Sequence, residues 1–264
     1  MTAESSEGPG RVVGTQAISR AFAVLHLVRD HGSDLGVGQI AKELDLNLST
    51  AHRIVRALVA EGYLAQNETN ERYYLGASAL LLGQAAYRNF RLDVVHPVLE
   101  RLAEQTGESV NLGVLNGLFA VVVERIESPQ PLRFTQPPGT KAPLHASAMG
   151  KALLAFNDDL EARYLASEHP LVKIVANTHT TEAALRADLD ATRARGWSTD
   201  DEESHLGVRC VGAPIQDGPG RARAAIAVQA PALRMPMERY AEVGPEVVRA
   251  AKEIAALLPP GHGF

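Results

Sequence analysis

The stretch LSTAHRIVRALVAEGYLAQNETNERYYL, residues 48–75, decides the fold of the first part of the chain. Apolar residues recur through its first half at three- and four-residue spacing, which predicts an amphipathic helix over about 49–61. Either Asn47 or Ser49 can cap this helix by accepting a backbone N–H, and Gly62 ends it. The residues that the pattern places in the buried stripe are Ile54, Val55, Leu58 and Val59.

Two more helices are predicted upstream, over about 15–30 and 37–44, and a tight turn at 45–47 follows the second. A short helix, a tight turn and another helix follow the helix-turn-helix plan. Two strand-like runs at 63–65 and 73–75 enclose a polar, turn-rich segment, which predicts a hairpin wing. Residues 14–76 are thus predicted to form a winged helix-turn-helix domain, after a polar tail, 1–13, expected to be disordered. The face that the first helix is expected to bury carries Ile18, Phe22, Leu25 and Val28.

The outer face of the third predicted helix carries hydroxyls and cations, with no acidic residue before Glu61. A recognition helix needs such groups, because they meet phosphates and base edges in the major groove. The residues predicted to contact DNA are Ser49, Thr50, His52, Arg53 and Arg56 on this helix and Arg72 in the wing.

The net charge of the chain limits how the protein can bind DNA. The net charge is −5, and the first 90 residues hold eight Lys and Arg against nine acidic residues. Bulk charge therefore excludes a protein that coats nucleic acid, and DNA binding has to depend on a local arrangement of cations. A winged helix that binds protein is the alternative, and the acid-free surroundings of Arg53 and Arg56 argue against it.

Residues 77–91 are predicted to form an apolar linker helix, which either packs at the edge of the second domain or pairs with its copy in a dimer. Residues 92–264 alternate between helical and strand-like segments, and Asn116-Gly117 is a hairpin signal. This order predicts an α+β domain around an antiparallel sheet. The expected helices are 94–105, 148–156, 159–166, 181–195 and 237–257, and the expected strands are 109–115, 118–126, 132–135, 207–214 and 222–229.

The chain resembles the IclR family of bacterial transcriptional regulators. The resemblance rests on PLHASAMGKALLA (143–155) and GWSTDDEESHLGVRCVGAPI (196–215), with support from AISRA (17–21) and LSTAHR (48–53), and it extends over about 14–258. It implies a sequence-specific DNA-binding regulator, expected to be a repressor, that acts as a homodimer or a dimer of dimers. It also implies a GAF-like α/β domain that binds a small acidic or aromatic effector.

The same resemblance implies where the effector binds. Ser147 precedes a predicted helix, and a carboxylate over the N–H groups of Ala148 and Met149 would be well satisfied there. Relatives that bind small oxo-acids tend to carry small hydroxyl residues where this chain has Ala227 and Gln229, so we expect a larger or more apolar ligand. The implied effector-binding residues are Ser147, Ala148, Met149, Asp200, Cys210, Ala227 and Gln229.

Plainer interpretations exist for several of these residues. Ser147 can act only as a helix cap, Cys210 only as a buried, inert thiol, and the acidic run 200–203 as a solvated loop. The single cysteine excludes an intramolecular disulfide, which fits a reducing cytoplasm, and no apolar run approaches the length of a membrane helix.

Enzymatic and metal-binding alternatives find little support. Ser147, His145 and Asp200 suggest a hydrolase, but the sequence has no Gly-x-Ser-x-Gly elbow, glycine-rich phosphate loop or HExxH motif. The spacing of His145, His205 and Cys210 matches no standard zinc site. We therefore expect a protein that is not an enzyme and needs neither a cofactor nor a metal.

Overall fold

A computed structural model describes residues 15–168, 171–217 and 220–258. The expected disordered tail, 1–13, lies outside the described residues. The chain divides into two compact units, and the division falls between Asn89 and Phe90. In the described part of the chain, no helix has both the length and the apolar character that a membrane crossing requires.

The first unit is a winged helix-turn-helix, as predicted. Its core contains Val24, Ile40, Val55 and Leu64, contributed by three helices and the hairpin. Asn47, rather than Ser49, caps the third helix, because its Oδ1 accepts the Thr50 N–H at 2.8 Å. The elements are α1 (Gln16–His31), α2 (Val37–Glu43), α3 (Leu48–Ala60), the antiparallel pair β1 (Leu64–Gln66) and β2 (Tyr73–Leu75), and α4 (Ala77–Asn89).

The expected buried faces of two helices are partly wrong. Helix α1 buries Val24 and Val28, whereas Ile18 is 59% exposed and Phe22 is 54% exposed. Phe22 is two residues from Val24, so with 3.6 residues per turn it points to another side of the helix. Val59 of α3, expected in the core, is 36% exposed. Apolar side chains therefore remain on the surface of this unit.

The second unit is built on a six-stranded sheet in the order β5-β4-β3-β8-β7-β6, in which all neighbouring strands are antiparallel. Its elements are α5 (Leu92–Thr106), β3 (Ser109–Asn116), β4 (Phe119–Ile126), β5 (Lys141–Pro143), α6 (Ala148–Ala155), α7 (Asp158–Leu165), α8 (Glu182–Arg195), β6 (Ser198–Asp201), β7 (Val208–Gln216), β8 (Ala222–Pro231), a 3₁₀ turn (Met237–Arg239) and α9 (Tyr240–Leu257). The predicted antiparallel α+β domain is confirmed.

Both faces of the central strands are covered. In β7, Val211 and Ala213 belong to a core shared with α5 and α9, while Val208 and Cys210 belong to a core shared with α6, α7 and α8. Successive side chains of a strand point to opposite faces, so a strand covered on both sides is apolar nearly throughout. The site described below lies on the α6 side.

Two expectations about strands are wrong. Residues 132–135 do not form a strand; Leu132 is exposed, and the carbonyl of Phe134 accepts a hydrogen bond from the Arg125 side chain instead of a strand partner. The acidic run 200–203 is not a solvated loop, because β6 ends at Asp201 and both Asp200 and Glu203 are buried. The edge strands β5 and β6 are short, and the sequence pattern did not reveal them.

Helix α6 approaches the surrounding backbone closely. A Cβ added to Gly150 would lie 2.4 Å from the Leu144 Cα and 2.6 Å from the Pro143 carbonyl oxygen. A Cβ on Gly212 of β7 would lie 3.0 Å from the Ala148 carbonyl carbon, and the Ser198 hydroxyl donates to the Ala148 carbonyl at 2.6 Å. Glycine at these two positions therefore sets the distance between the start of α6 and the sheet.

We expect Gly150→Ala to lower the free energy of unfolding by about 1–3 kcal/mol, because the added methyl meets backbone atoms that cannot rotate away. Chemical denaturation of the full chain measures this change. The matched control is Gly38→Ala in α2, where an added Cβ meets no atom within 4 Å; it should be neutral or stabilise by up to about 1 kcal/mol. Equal effects of the two substitutions would contradict the close approach at Gly150.

Candidate effector cavity and nucleic-acid interface

The outer face of α3 presents unpaired cations. Ser49, His52, Arg53 and Arg56 follow i, i+3, i+4, i+7 spacing and are exposed, so they share one side of the helix. Neither arginine forms an ion pair or a hydrogen bond with another residue that the structure describes. Thr50 is half-buried beside this face, and its backbone N–H is taken by the Asn47 cap.

The wing arginine has a partner within the protein. Arg72 is exposed, and its Nη1 donates to the Asp34 carbonyl at 3.1 Å, which joins the hairpin to the segment before α2. Asn67 reinforces the join through the Asp34 carboxylate at 3.2 Å. A guanidinium carries five N–H donors, so this bond leaves others for a phosphate.

A cavity of about 130 Å³ lies between the start of α6 and the sheet in the second unit. Strands β3, β6, β7 and β8 each supply part of its wall. All seven residues implied as effector-binding line it: Ser147, Ala148, Met149, Asp200, Cys210, Ala227 and Gln229. Eight further lining residues were not singled out from the sequence: Asn111, Gln136, Thr140, Lys141, Ala142, Pro143, Ser204 and His205.

One wall of the cavity is the first turn of α6. The Ser147 hydroxyl accepts the Gly150 N–H at 3.0 Å and donates to the Pro143 carbonyl at 2.7 Å, so the predicted capping role is confirmed. The N–H groups of Ala148 and Met149 meet no acceptor among the described residues. The unpaired donors and the positive end of the helix dipole therefore favour an anion at this wall.

Another part of the lining is a network of side-chain amides held by Arg125. Nη1 of Arg125 donates to Asn111 Oδ1 at 2.7 Å and to Gln229 Oε1 at 3.0 Å. Gln229 Nε2 donates in turn to Gln136 Oε1 at 2.8 Å. Burial lowers the pKa of Arg125. A polar residue such as Asn111 in a mostly apolar strand was the available sequence signal, since such residues are seldom fully buried without a partner.

Asp200 and Cys210 face each other in the register of β6 and β7. Asp200 accepts the N–H of Glu203 at 2.8 Å and the hydroxyl of Ser204 at 2.5 Å. Burial raises the pKa of Asp200 and raises that of Cys210 well above its ordinary range. The sulfur therefore stays a thiol at neutral pH, which suits a packing role rather than a nucleophilic one.

A buried ion cluster lies next to the cavity and is connected to it through the Glu203–Asp200 hydrogen bond. Nζ of Lys151, which is fully buried in α6, lies 2.5 Å from Asp188 Oδ2 and 2.6 Å from Glu203 Oε1. Burial acts to lower the pKa of Lys151, but the charges of Glu203 and Asp188 outweigh it and the net shift is upward. The cluster ties α6 to α8 and to the segment after β6. The cluster also positions the backbone N–H of Glu203, from which Asp200 accepts a hydrogen bond.

The atoms of a hydrolase triad are not brought together. His145 Nδ1 lies 2.7 Å from the Tyr164 hydroxyl, and its Nε2 lies 2.9 Å from the Val172 carbonyl. The Ser147 hydroxyl serves the helix cap. The imidazole therefore has no ring nitrogen left to act as a base toward this serine.

His145, His205 and Cys210, which the sequence analysis considered as zinc ligands, are likewise not close enough together to bind one metal ion. Among the described residues, the group whose ligand atoms lie close enough for a metal is His179, Asp188 and Glu203. The Lys151 ammonium already contacts both of these carboxylates. A metal ion would have to displace that charge, so this donor set does not fit a cation site.

A winged helix-turn-helix whose exposed cations have no partner among the described residues, together with a second unit that holds a small cavity, is typical of DNA-binding regulators that respond to a small molecule. The family model of the IclR C-terminal domain of bacterial transcriptional regulators matches residues 90–256, and that of the IclR helix-turn-helix domain matches residues 17–68. The chain belongs to the IclR family and is a transcriptional regulator, not an enzyme.

Relatives of known function span nearly the whole chain. The HTH-type transcriptional regulator BhcR of Paracoccus denitrificans is 38% identical over 248 residues, which cover 94% of this chain and 88% of BhcR. The acetate operon repressor of Salmonella typhimurium is 32% identical over 242 residues, which cover 90% and 88% of the two chains.

Solved structures share the fold. The IclR protein of Thermotoga maritima has a TM-score of 0.76 and 28% identity, with coverage of 92% of this chain and 99% of that one. An IclR homologue of Microbacterium hydrocarbonoxydans, crystallised with 4-hydroxybenzoate, has a TM-score of 0.79 and 23% identity, with coverage of 92% and 100%.

We expect Lys151→Met to lower the free energy of unfolding by about 3–5 kcal/mol, because it leaves two buried carboxylates without their cation. Urea denaturation monitored by circular dichroism measures the loss. As a control, Arg101→Met breaks the exposed pair with Glu253 and should change stability by less than about 1 kcal/mol. A loss for Lys151→Met no larger than for the control would show that Asp188 and Glu203 do not depend on the lysine.

Proposed function

We propose that this protein is a repressor whose operator binding is changed by a small carboxylate or aromatic metabolite bound in the second unit. The partly open cavity, whose wall includes N–H groups of Ala148 and Met149 that meet no acceptor among the described residues, is the observation that carries the proposal. The description of relatives as repressors supports the direction of the output. Because its target is chromosomal DNA, the regulator acts in the cytoplasm.

The proposal assigns a role to each part of the chain. Residues 14–76 form the DNA-binding domain, 77–91 the linker helix and 92–264 the effector-binding domain. The residues that contact DNA are Ser49, Thr50, His52, Arg53, Arg56 and Arg72. Those that contact the effector are Ser147, Ala148, Met149, Asp200, Cys210, Ala227 and Gln229.

The cavity favours a compact ligand. Its volume of about 130 Å³ is small beside the roughly 300–1,000 Å³ of pockets for drug-sized molecules. Gln229, in place of a small hydroxyl residue, fills part of the space and adds polar donors. The larger or more apolar ligand expected from the sequence stays a prediction, and this volume favours the smaller members of the proposed carboxylate and aromatic class.

The apolar surface of the first unit supports self-association. Leu80, Leu81 and Leu82 of α4 are between 58% and 63% exposed, and Ile18 and Phe22 of α1 are also exposed. Exposed large apolar side chains grouped on neighbouring helices mark an interaction surface. We assign this surface to a homodimer, in which α4 pairs with its copy, and two dimers assemble further.

We expect Arg53→Ala to weaken operator binding by about 1–3 kcal/mol if the guanidinium contacts a base edge. Fluorescence anisotropy against DNA upstream of the protein's own gene measures the affinity, with and without a panel of carboxylate and aromatic metabolites. The melting temperature should not change, because Arg53 is exposed and unpaired among the described residues. Arg29→Ala, which removes an exposed cation paired with Asp30 in α1, is the matched control.

The same titration at two salt concentrations tests the phosphate contacts. Affinity should fall steeply with salt, because each neutralised phosphate releases counterions. A flat salt response, or equal losses from Arg53→Ala and Arg29→Ala, would contradict recognition through α3. Absence of specific DNA binding after a genome-wide pull-down would favour a winged helix that binds protein.

We expect Leu81→Glu to shift the full chain from dimer toward monomer, because a charge cannot be buried in an apolar interface without a partner. Sedimentation velocity over a concentration series measures the shift. Gln105→Glu places the same charge on an exposed position of α5 and should leave the dimer intact. A variant Leu81→Glu that sediments as the wild type would exclude α4 from the interface.

A further inference from the structure

Residues 171–179, which we call the strap, contain no helix or strand and are fastened to the segment after β6. Oγ1 of Thr178, the buried residue of the strap, donates to the Glu203 carbonyl at 2.8 Å. Nδ2 of Asn177 donates to the Asp201 carbonyl at 3.1 Å. The strap is therefore joined at two points to the short segment that borders the cavity wall.

The last residue of the strap is a histidine that lies close to two carboxylates. Nε2 of His179 lies 3.6 Å from Asp188 Oδ2 of α8 and 3.5 Å from Glu203 Oε2. The buried Lys151 ammonium contacts the same two carboxylates, whereas the imidazole is 30% exposed and can exchange its proton with solvent. A protonated imidazole forms ion pairs with both carboxylates, and a neutral one forms none. The charge of His179 thus binds the strap to α8 and to the segment after β6.

The charged groups around His179 favour its protonated form. The contact with Asp188 raises the pKa of His179, partial burial opposes the rise, and the charge of Glu203 adds to it. The Lys151 ammonium acts against the proton, but the net shift is upward. Arg195 of α8 lies 3.6 Å from the other oxygen of Asp188, and among the described residues it forms no ion pair with Glu203. Glu203 is therefore shared by Lys151 and His179.

Two further titratable groups lie near this cluster. Burial lowers the pKa of His145, so this imidazole is neutral at neutral pH and adds no charge beside His179. Burial raises the pKa of Asp200, whose carboxylate accepts hydrogen bonds from the Glu203 N–H and the Ser204 hydroxyl. Neither group supplies a cation that replaces the proton of His179.

The segment that the strap fixes continues into the cavity wall. Glu203 donates its backbone N–H to Asp200 Oδ1 at 2.8 Å, and Asp200 lines the cavity next to its register partner Cys210. Cys210 is buried and is the single cysteine of the chain. Opening of this wall therefore exposes one thiol, and the reactivity of that thiol reports the opening.

We propose that His179 is a pH-dependent clamp on the effector cavity. Its charged imidazole holds the strap on Asp188 and Glu203, and loss of the proton loosens the wall that contains Asp200 and Cys210. The regulatory meaning of the clamp, a weaker hold on the effector as the pH rises, rests on the proposed function of the cavity.

The direction of the pH effect is set by the linkage between protonation and stability. The pKa of His179 is higher in the folded chain than its ordinary value of about 6.5. The stabilisation by its charge is therefore fully present below about pH 6.5 and is lost as the pH rises through the raised pKa. The wall is firm under mildly acidic conditions and loosens toward alkaline pH.

The test is the reactivity of Cys210 in the full-length protein, without DNA or effector. Dithiodipyridine, a neutral disulfide reagent, labels the thiol at about pH 6 and about pH 9, and each rate is divided by that of the urea-unfolded chain at the same pH, because the thiolate fraction itself rises with pH. The resulting protection should fall at least about threefold between the two pH values. Constant protection would overturn the proposal, and so would protection equal to the global unfolding equilibrium from urea denaturation.

Two variants separate His179 from the buried carboxylates. His179→Gln lacks the charge, so its protection should be independent of pH and close to the wild-type value at the higher pH. His179→Lys keeps a positive charge at both pH values and should retain the higher protection throughout. A pH dependence that persists in His179→Gln would assign the effect to Asp200 or Glu203 and overturn the proposal. Equal protection in the two variants would show that the charge does not hold the strap.

His96→Gln is the matched control. His96 of α5 also lies near two carboxylates, 3.0 Å from Glu124 and 3.3 Å from Glu100, and its exposed fraction of 36% is similar. No residue of α5 lines the cavity, so this variant should keep the wild-type pH profile. A profile altered as in His179→Gln would mean that loss of any such histidine charge acts on the whole unit, which would contradict a local clamp.

Operator binding is measured on the same wild-type preparation, so that two failures can be told apart. Specific DNA binding together with pH-independent protection of Cys210 would reject the clamp and leave the regulator proposal standing. A clamp found in a protein without specific DNA binding would reject the proposed function and leave the pH-dependent opening in place.

Discussion

The close approach of α6 to the sheet is the constraint on which the effector unit depends. Gly150 and Gly212 leave no room for a Cβ, so the first turn of the helix lies directly against β7 and the Pro143–Leu144 backbone. This contact leaves the N–H groups of Ala148 and Met149 in the wall of a small, partly open cavity. A larger separation would open the cavity to water, and both the helix dipole and the hydrogen bonds of a ligand would weaken in the higher dielectric.

Charge inside this unit is arranged in two ways. Lys151 meets two carboxylates, so the buried cluster is compensated within the protein and holds α6, α8 and the segment after β6 in one arrangement. Arg125 is partly buried and, among the described residues, donates hydrogen bonds only to neutral acceptors. Buried ion pairs add little stability in themselves but position the groups around them. The Lys151 cluster is therefore structural, and Arg125 orients the side-chain amides of Asn111 and Gln229.

Periodicity predicted most elements, because an element that buries one face repeats its apolar residues at a fixed spacing. It misjudged α1, where Ile18 and Phe22 continue an apolar pattern on a surface that this unit leaves exposed. It also predicted a strand at 132–135, where the Phe134 carbonyl bonds to the Arg125 side chain. Arg125 lies only nine residues before Phe134, but a bond between a side chain and a backbone carbonyl leaves no periodic pattern in the sequence.

The sequence by itself determined the family, the winged helix-turn-helix, the cationic face of α3 and seven residues of the cavity wall, since these depend on local spacing and on motifs read along the chain. Only the tertiary structure brought Arg125, Asn111, Gln136 and Gln229 into one network and buried Asp200 and Glu203 behind α6. These contacts join residues up to 104 positions apart. Packing between strands and helices decides which polar groups find partners, because it brings together residues that no local pattern in the sequence connects.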